Sequence, residues 1–412
     1  MSRRAASVLV ALVAALALAP SGTAGAAPPP LRARAAMLVQ PDTGDVVYAR
    51  KPGQRRPIAS TTKLMTALLT LERSNLDDVV PAAPYHPQPA ESVAGLRAGE
   101  RLTVRDLLRA LLLQSANDAA VTLAVDVGGS QAAFVRAMNA RAAQLGLRNT
   151  HYANPVGLDE RGNYSSARDL VTLARVLLRN RFFARTVDRP RATLTSGARV
   201  RRIVNRNLLV RRVPFVDGVK TGHTAQAGYV LIGAGERGGV RLVSAVLGDP
   251  SEAARDDDTL ALLRYGLTRY RAPVVVTRGA VLARPKLKDR DGHVDLVAAR
   301  SLRVVVRRGE RERVEVAGVP AELDGPLPAG ARVGDAVVVR RGRAVARVPL
   351  LTRAPVAAAS LGDRVTSFFG SPLTVLLVAV LAGSTLQLAL MRRRATRRRR
   401  ARSRRRRGTE AA

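Results

Sequence analysis

The sequence predicts a mixed α/β (α+β) domain, then a small all-β domain and a C-terminal transmembrane helix. Three observations carry this. Across residues 31–270, stretches with 3.6-residue apolar periodicity alternate with short Val- and Leu-rich runs. After Ala272-Pro273 the helical periodicity stops, and short alternating runs broken by Gly and Pro replace it. Residues 367–391 then carry no charge at all, a length sufficient to cross a bilayer.

Taken in chain order, Arg3 and Arg4 precede an apolar run over 5–19, and Ala24-Gly25-Ala26 has the small residues of an export cleavage site. Residues 1–26 therefore read as a signal peptide; Pro20 breaks the run too early for a membrane span. Within the mixed α/β domain, 31–272, helices are expected over 61–71, 104–124, 131–145 and 167–178, and strands over 228–234 and 240–247. The β-rich domain, 273–355, has expected strands over 302–306, 313–316 and 336–339. A linker, 356–366, leads to the span at 367–391 and an arginine-rich tail at 392–412. Positive charge stays in the cytoplasm, so this order places the tail inside and everything upstream outside.

Composition narrows the chemistry. The formal net charge is +36, but a third of it lies in the arginines between Arg392 and Arg407, a stop-transfer and headgroup contact. Aromatic residues interleaved with basic ones are missing, which argues against a nucleic-acid partner. There is no cysteine, and the four histidines show no paired spacing, so neither a metal site nor a cofactor is expected. Only five of the 68 basic residues are lysine: Lys51, Lys63, Lys220, Lys286 and Lys288. Arginine does not lose its proton in a protein, whereas a desolvated lysine does. A lysine kept against this background is a candidate for work arginine cannot do.

Three short motifs stand in order. Ser60-Thr61-Thr62-Lys63 fits S-x-x-K, Ser115-Ala116-Asn117 fits S-x-N, and Lys220-Thr221-Gly222 fits K-T-G. Ser60 opens an apolar helical stretch, where a serine is ordinarily a cap. A residue three positions on shares its face, so Lys63 reaches the hydroxyl. Burial beside a second cation would lower the Lys63 pKa and let it activate Ser60 as a nucleophile. Ser115 can relay protons, and Asn117 can hold substrate or Lys63. In the stretch from Asp217 to Thr224, glycines flank Lys220, Thr221 and His223 on an expected strand, so a peptide backbone can lie alongside. Lys220 sets a cation opposite a terminal carboxylate there.

These motifs, with YANPVGLD (152–159), YSSARD (164–169), NRNL (205–208) and DGVKTGHTAQAGY (217–229), resemble the serine-type D-Ala-D-Ala carboxypeptidases, the low-molecular-mass penicillin-binding proteins. The resemblance covers roughly residues 35–270 and implies a DD-peptidase/β-lactamase-like catalytic domain. It implies that Ser60 is acylated by the penultimate D-Ala of a peptidoglycan stem peptide, and that β-lactams are covalent inhibitors. The backbone N–H groups of Ser60 and His223 would form the oxyanion hole. Thr221, beside Gly222, would bind the substrate carboxylate with an arginine after the last strand, taken as Arg255.

Rival readings differ in kind. A β-lactamase would add an acidic deacylation residue, for which Glu160 is the one tempting position, but it needs neither a β-domain nor a span. A DD-endopeptidase cutting cross-links shares every motif. A catalytically silent wall-binding protein would keep the fold without the chemistry, against which the three intact motifs argue.

Overall fold

The computed structural model describes residues 27–370 and 372–408, so the expected signal peptide at 1–26 lies outside the described residues. Two compact units are present. The first runs to Ala272 and takes in Val305–Arg308; the second holds Pro273–Val304 and the chain from Gly309.

At the centre of the first unit is a five-stranded antiparallel sheet. Its strands are β1 (Ala35–Gln40), β2 (Asp45–Arg50), β3 (Val216–Thr224), β4 (Gly228–Arg237) and β5 (Val240–Asp249), in the order β2-β1-β5-β4-β3. Around it are helices α1 (Lys63–Arg73), α2 (Val104–Arg109), α3 (Asn117–Gly128), α4 (Gln131–Gln144), α5 (Ala167–Leu177), α6 (Arg181–Val187), α7 (Leu208–Arg212) and α8 (Glu252–Arg269).

The two-residue period of a strand sends neighbours to opposite faces. Met37, Val39, Val243 and Ala245 enter one core with the apolar sides of α1, α3 and α5, whereas Ala36, Leu38, Leu242 and Val246 enter a second core. Leu262, Leu263 and Tyr265 of α8 cover that second face. Helix α5 shows how the sequence specifies such packing. Ser166 caps its start by accepting from the Asp169 N–H, and Leu170, Leu173, Ala174 and Leu177 form one buried stripe. Each such buried leucine contributes ~2 kcal/mol relative to leaving it in water.

The sequence reading differs from the structure in several places. The helix expected over 104–124 is broken. A π-turn at Ala110–Gln114 ends it, Ser115 takes a left-handed conformation (φ 64), and α3 starts afresh at Asn117. Tertiary contacts win over propensity here, because the 92–96 loop supplies partners that a continuous helix would refuse. Asn117 N–H donates to the Ser92 carbonyl at 2.7 Å, and the Gln114 amide donates to the Val93 carbonyl at 2.8 Å. Helix α8 lies outside the helices expected from periodicity, since Asp256, Asp257 and Asp258 interrupt its apolar pattern. The strand expected over 302–306 is two short ones: Leu302–Arg303 pairs with Val274–Val276, and Val306–Arg307 pairs with Tyr270–Arg271.

The second unit has its own five-stranded antiparallel sheet, in the order Val281–Ala283, Leu296–Ala298, Arg343–Thr352, Arg332–Arg340, Glu312–Ala317. Leu296, Ala336, Leu350 and Val356 lie in its small core. Helix α9 (Leu361–Gly370) begins within the expected linker, and α10 (Pro372–Gly408) follows. The Pro372–Arg397 part of α10 is long and apolar enough to cross a membrane.

Candidate active site

Ser60 lies in a single 3-10 turn, Ala59–Thr62, that runs into α1, so its hydroxyl is not spent on capping. Lys63, the first residue of α1, has no exposed surface. Its Nζ donates to Ser60 Oγ at 3.1 Å and to the Val156 carbonyl at 2.6 Å. Burial lowers the Lys63 amine to about 7; Glu91 pulls it up, and Arg206 pushes it further down. An amine of that pKa is free base for half its population near neutrality.

The second and third motifs form a matching pair. Lys220 Nζ donates to Ser115 Oγ at 2.9 Å and to the Thr221 carbonyl at 3.0 Å. Burial also holds the Lys220 amine well below its usual value, and the positive charges of Lys63, Arg206 and Arg255 add to that. Lys220 therefore bonds to Ser115 inside the site. Asn117 is buried, and its Nδ2 donates to Glu91 Oε2 at 2.8 Å.

Strand β3 carries Lys220, Thr221, Gly222 and His223 on the outer edge of the sheet, and among the described residues it pairs with β4 on one side only. An unpaired strand edge can accept an extended peptide as an added strand. A Cβ at Gly222 would stand 3.0 Å from the Ile58 carbonyl and 3.1 Å from the Ser60 nitrogen, so a side chain here would push β3 a few tenths of an ångström away from the serine turn. The His223 ring is exposed and stacks on Tyr229, with centroids 4.0 Å apart.

A loop from the YANPVGLD stretch contacts Lys63 and the serine turn. Asn154 Oδ1 accepts from the N–H groups of Val156, Gly157 and Leu158, which turns the Val156 carbonyl onto Lys63. Asp159 binds Thr224 Oγ1 at 2.7 Å and the Gln226 N–H at 3.2 Å, tying this loop to the β3–β4 turn. The serine turn, the Ser115 turn and β3 bound a cleft of about 670 Å³ lined by Ser60, Ser115, Thr221, Gly222, His223, Arg206 and Arg255, among others. Arg255 is 2% exposed and held by Asp256 and Glu252. Glu160 is not in the lining; it accepts from Asn154 instead.

All nine expected site residues are thus at or just beneath one cleft. The sequence reading gave no role to Glu91, Tyr85, Asn154, Asp159 or Arg206. Asn154, Asp159 and Arg206 fall in stretches already matched to the family, which was the available signal, whereas Glu91 and Tyr85 sit on a loop with no pattern.

A family model described as Peptidase_S11, D-alanyl-D-alanine carboxypeptidase, matches residues 22–251. The chain is 32% identical over 359 residues to D-alanyl-D-alanine carboxypeptidase DacD of Escherichia coli, covering 83% of this chain and 91% of that protein. Among solved structures it resembles penicillin binding protein 5 of Haemophilus influenzae, with TM-score 0.57 and 28% identity over 81% of this chain and all of that one. It also resembles the Streptomyces K15 DD-transpeptidase, with TM-score 0.55 and 33% identity over 59% of this chain and 99% of that one.

Proposed function

Because the chain belongs to the D-alanyl-D-alanine carboxypeptidase family and is a serine-type peptidase of that kind, we propose that Ser60 is its nucleophile and Lys63 the base that activates it. The hydrogen bond from the fully buried Lys63 to Ser60 Oγ, at 3.1 Å, carries this reading. The neutral amine takes the hydroxyl proton as Oγ attacks the carbonyl carbon of the penultimate D-Ala. The Ser60 and His223 N–H groups receive the developing oxyanion. The proton reaches the leaving amine through Ser115, which Lys220 holds, and free D-Ala departs. Water, deprotonated by Lys63, then releases the shortened peptide. Thr221, Arg206 and Arg255 bind the terminal carboxylate. Gly222 supplies clearance, and Asn117 grips the substrate backbone.

The substrate on this reading is a peptidoglycan stem peptide, and β-lactams acylate the same serine. The apolar part of α10 is consistent with membrane anchoring, and the arginines after it fit a cytoplasmic tail with both units outside. Incubation with a muramyl pentapeptide tests the whole: release of D-alanine by the wild type and none by Ser60→Ala supports it. Cleavage of cross-linked dimers with no D-alanine release from the pentapeptide would favour the endopeptidase reading. An added acceptor amine shows whether the acyl group transfers, as the name of the K15 relative suggests.

A further inference from the structure

Glu91 stands on the 82–100 loop with a specific set of partners. One carboxylate oxygen, Oε2, accepts from two side chains: the Asn117 carboxamide at 2.8 Å and the Tyr85 hydroxyl in a short contact. The other oxygen accepts the Gln88 N–H at 3.3 Å. Residues 92–96 of the loop are held without Glu91. Asn117 N–H bonds to the Ser92 carbonyl, Gln114 to the Val93 carbonyl, and Asp118 accepts from the N–H groups of Ala94 and Leu96. The Glu91–Asn117 bond is therefore left for another purpose.

A carboxylate only accepts hydrogen bonds, so it can engage only the NH₂ end of the Asn117 carboxamide. A carboxamide without such a partner is free to flip; this one is locked with Oδ1 as its available acceptor. Burial pushes the Glu91 carboxyl upward, but the bonds from Tyr85 and Asn117 outweigh it and keep the group below its usual value. Glu91 is thus ionised throughout the working range of the site. Its charge and that of Lys63 act on each other; Asp118 on α3 also raises the Lys63 amine, whereas Arg206 lowers it, and Lys63 and Arg206 in turn lower Lys220.

We propose that Glu91 is a positioning residue for acylation: it fixes the Asn117 carboxamide with the oxygen toward the substrate and serves as the counter-charge of Lys63. This rests on the Ser60–Lys63 reading above. Glu91 transfers no proton; it acts through two neighbours.

The test is the second-order rate of labelling by a fluorescent penicillin from pH 5 to pH 9, on the full chain with melting checked. Glu91→Gln keeps size and acceptor but not charge; Glu91→Leu removes both; Tyr85→Phe keeps the charge. Glu91→Leu is expected to label about tenfold more slowly than wild type at high pH, the cost of one charge-assisted bond. In both Glu91 variants the acid limb moves to lower pH, so the ratio of rates at pH 6 and pH 8 rises severalfold. Tyr85→Phe leaves the limb in place. An acid limb unmoved in Glu91→Gln, or full-rate labelling of Glu91→Leu, would overturn the proposal. Absence of labelling in the wild type would instead defeat the Ser60 reading.

Discussion

Lys63 reaches Ser60 Oγ over 3.1 Å while the Val156 carbonyl, 2.6 Å away, fixes the other side of the same nitrogen. With one N–H held by the Val156 carbonyl, the neutral amine can turn its lone pair to the Ser60 hydroxyl. Lys63→Arg keeps charge and reach but cannot lose a proton at working pH. Penicillin labelling of this variant is expected to fall ~10²–10⁴-fold, the usual value of a general base. Labelling at the wild-type rate would remove Lys63 from that role.

The depressed amine sets a pH profile. Acylation needs the free base, so its rate should climb about tenfold per pH unit below about 7 and level off above. Stability has its own sign. The folded pKa lies below the unfolded 10.5, so between about 7 and 10.5 the unfolded chain binds more protons, and this group's contribution to stability rises with pH. Lys63→Met removes the cost of keeping the amine buried, and should raise Tm at pH 7 while abolishing labelling. A Tm below that of the wild type at pH 7 and unchanged at pH 10 would contradict this.

Arg206 and Arg255 approach the cleft differently. Arg206 spends its Nε on the Gln114 carbonyl, whereas Arg255 is clamped by Asp256 and Glu252. If both receive the terminal carboxylate, the wild type should prefer a free-acid peptide over its C-terminal amide by ~10–100-fold. Arg206→Gln and Arg255→Gln should each narrow that preference, mostly through KM. An undiminished preference in both would place the carboxylate elsewhere.

The chemistry was more legible in the sequence than the scaffold that aims it. Ser60, Lys63, Ser115 and Lys220 could be found because a mechanism demands those residue types, and because arginine replaces lysine almost everywhere else. Periodicity located α5 to within a residue and foresaw β4 and β5, since their apolar patterns match their burial. It missed the break at Ser115, which depends on bonds to a loop some 20 residues upstream. It missed α8, where the asparates serve the fold: Asp258 accepts from the N–H groups of Arg32 and Ala33. Glu91 was invisible for the same reason, as its meaning lies in a contact with Asn117 and not in its neighbours.

Gly157 offers a test of how tightly the serine turn is held. It sits at φ +88, and a Cβ there would come within 2.0 Å of the Ala59 carbonyl. Gly157→Ala must displace either its own loop, which carries the Val156 carbonyl, or the turn that carries Ser60. Labelling should fall by more than tenfold, because small misplacements of reacting groups are costly. Wild-type labelling would mean that the turn yields without disturbing Ser60.

The Glu100–Arg201 pair holds the loop that bears Glu91. Both side chains are buried, and Arg201 binds Glu100 bidentately at 2.7 and 2.9 Å while donating to the carbonyls of Ala94 and Gly95. Its bonds to Glu100 hold that carboxyl down at about 2. A carboxyl lowered in the folded state stabilises fully above the unfolded value of 4.5, and that contribution is lost as pH falls toward 2. Glu100→Gln leaves Arg201 buried without its counter-charge and should cost ~3–5 kcal/mol. Its melting curve should also lack the wild-type decline across that acid window. Replacing both partners, Glu100→Leu with Arg201→Met, should recover much of the stability. It should not recover the acylation rate, because Ala94 and Gly95 have still lost the donor that sets the loop beside Asn117. Recovery of both together would show that the pair serves stability alone.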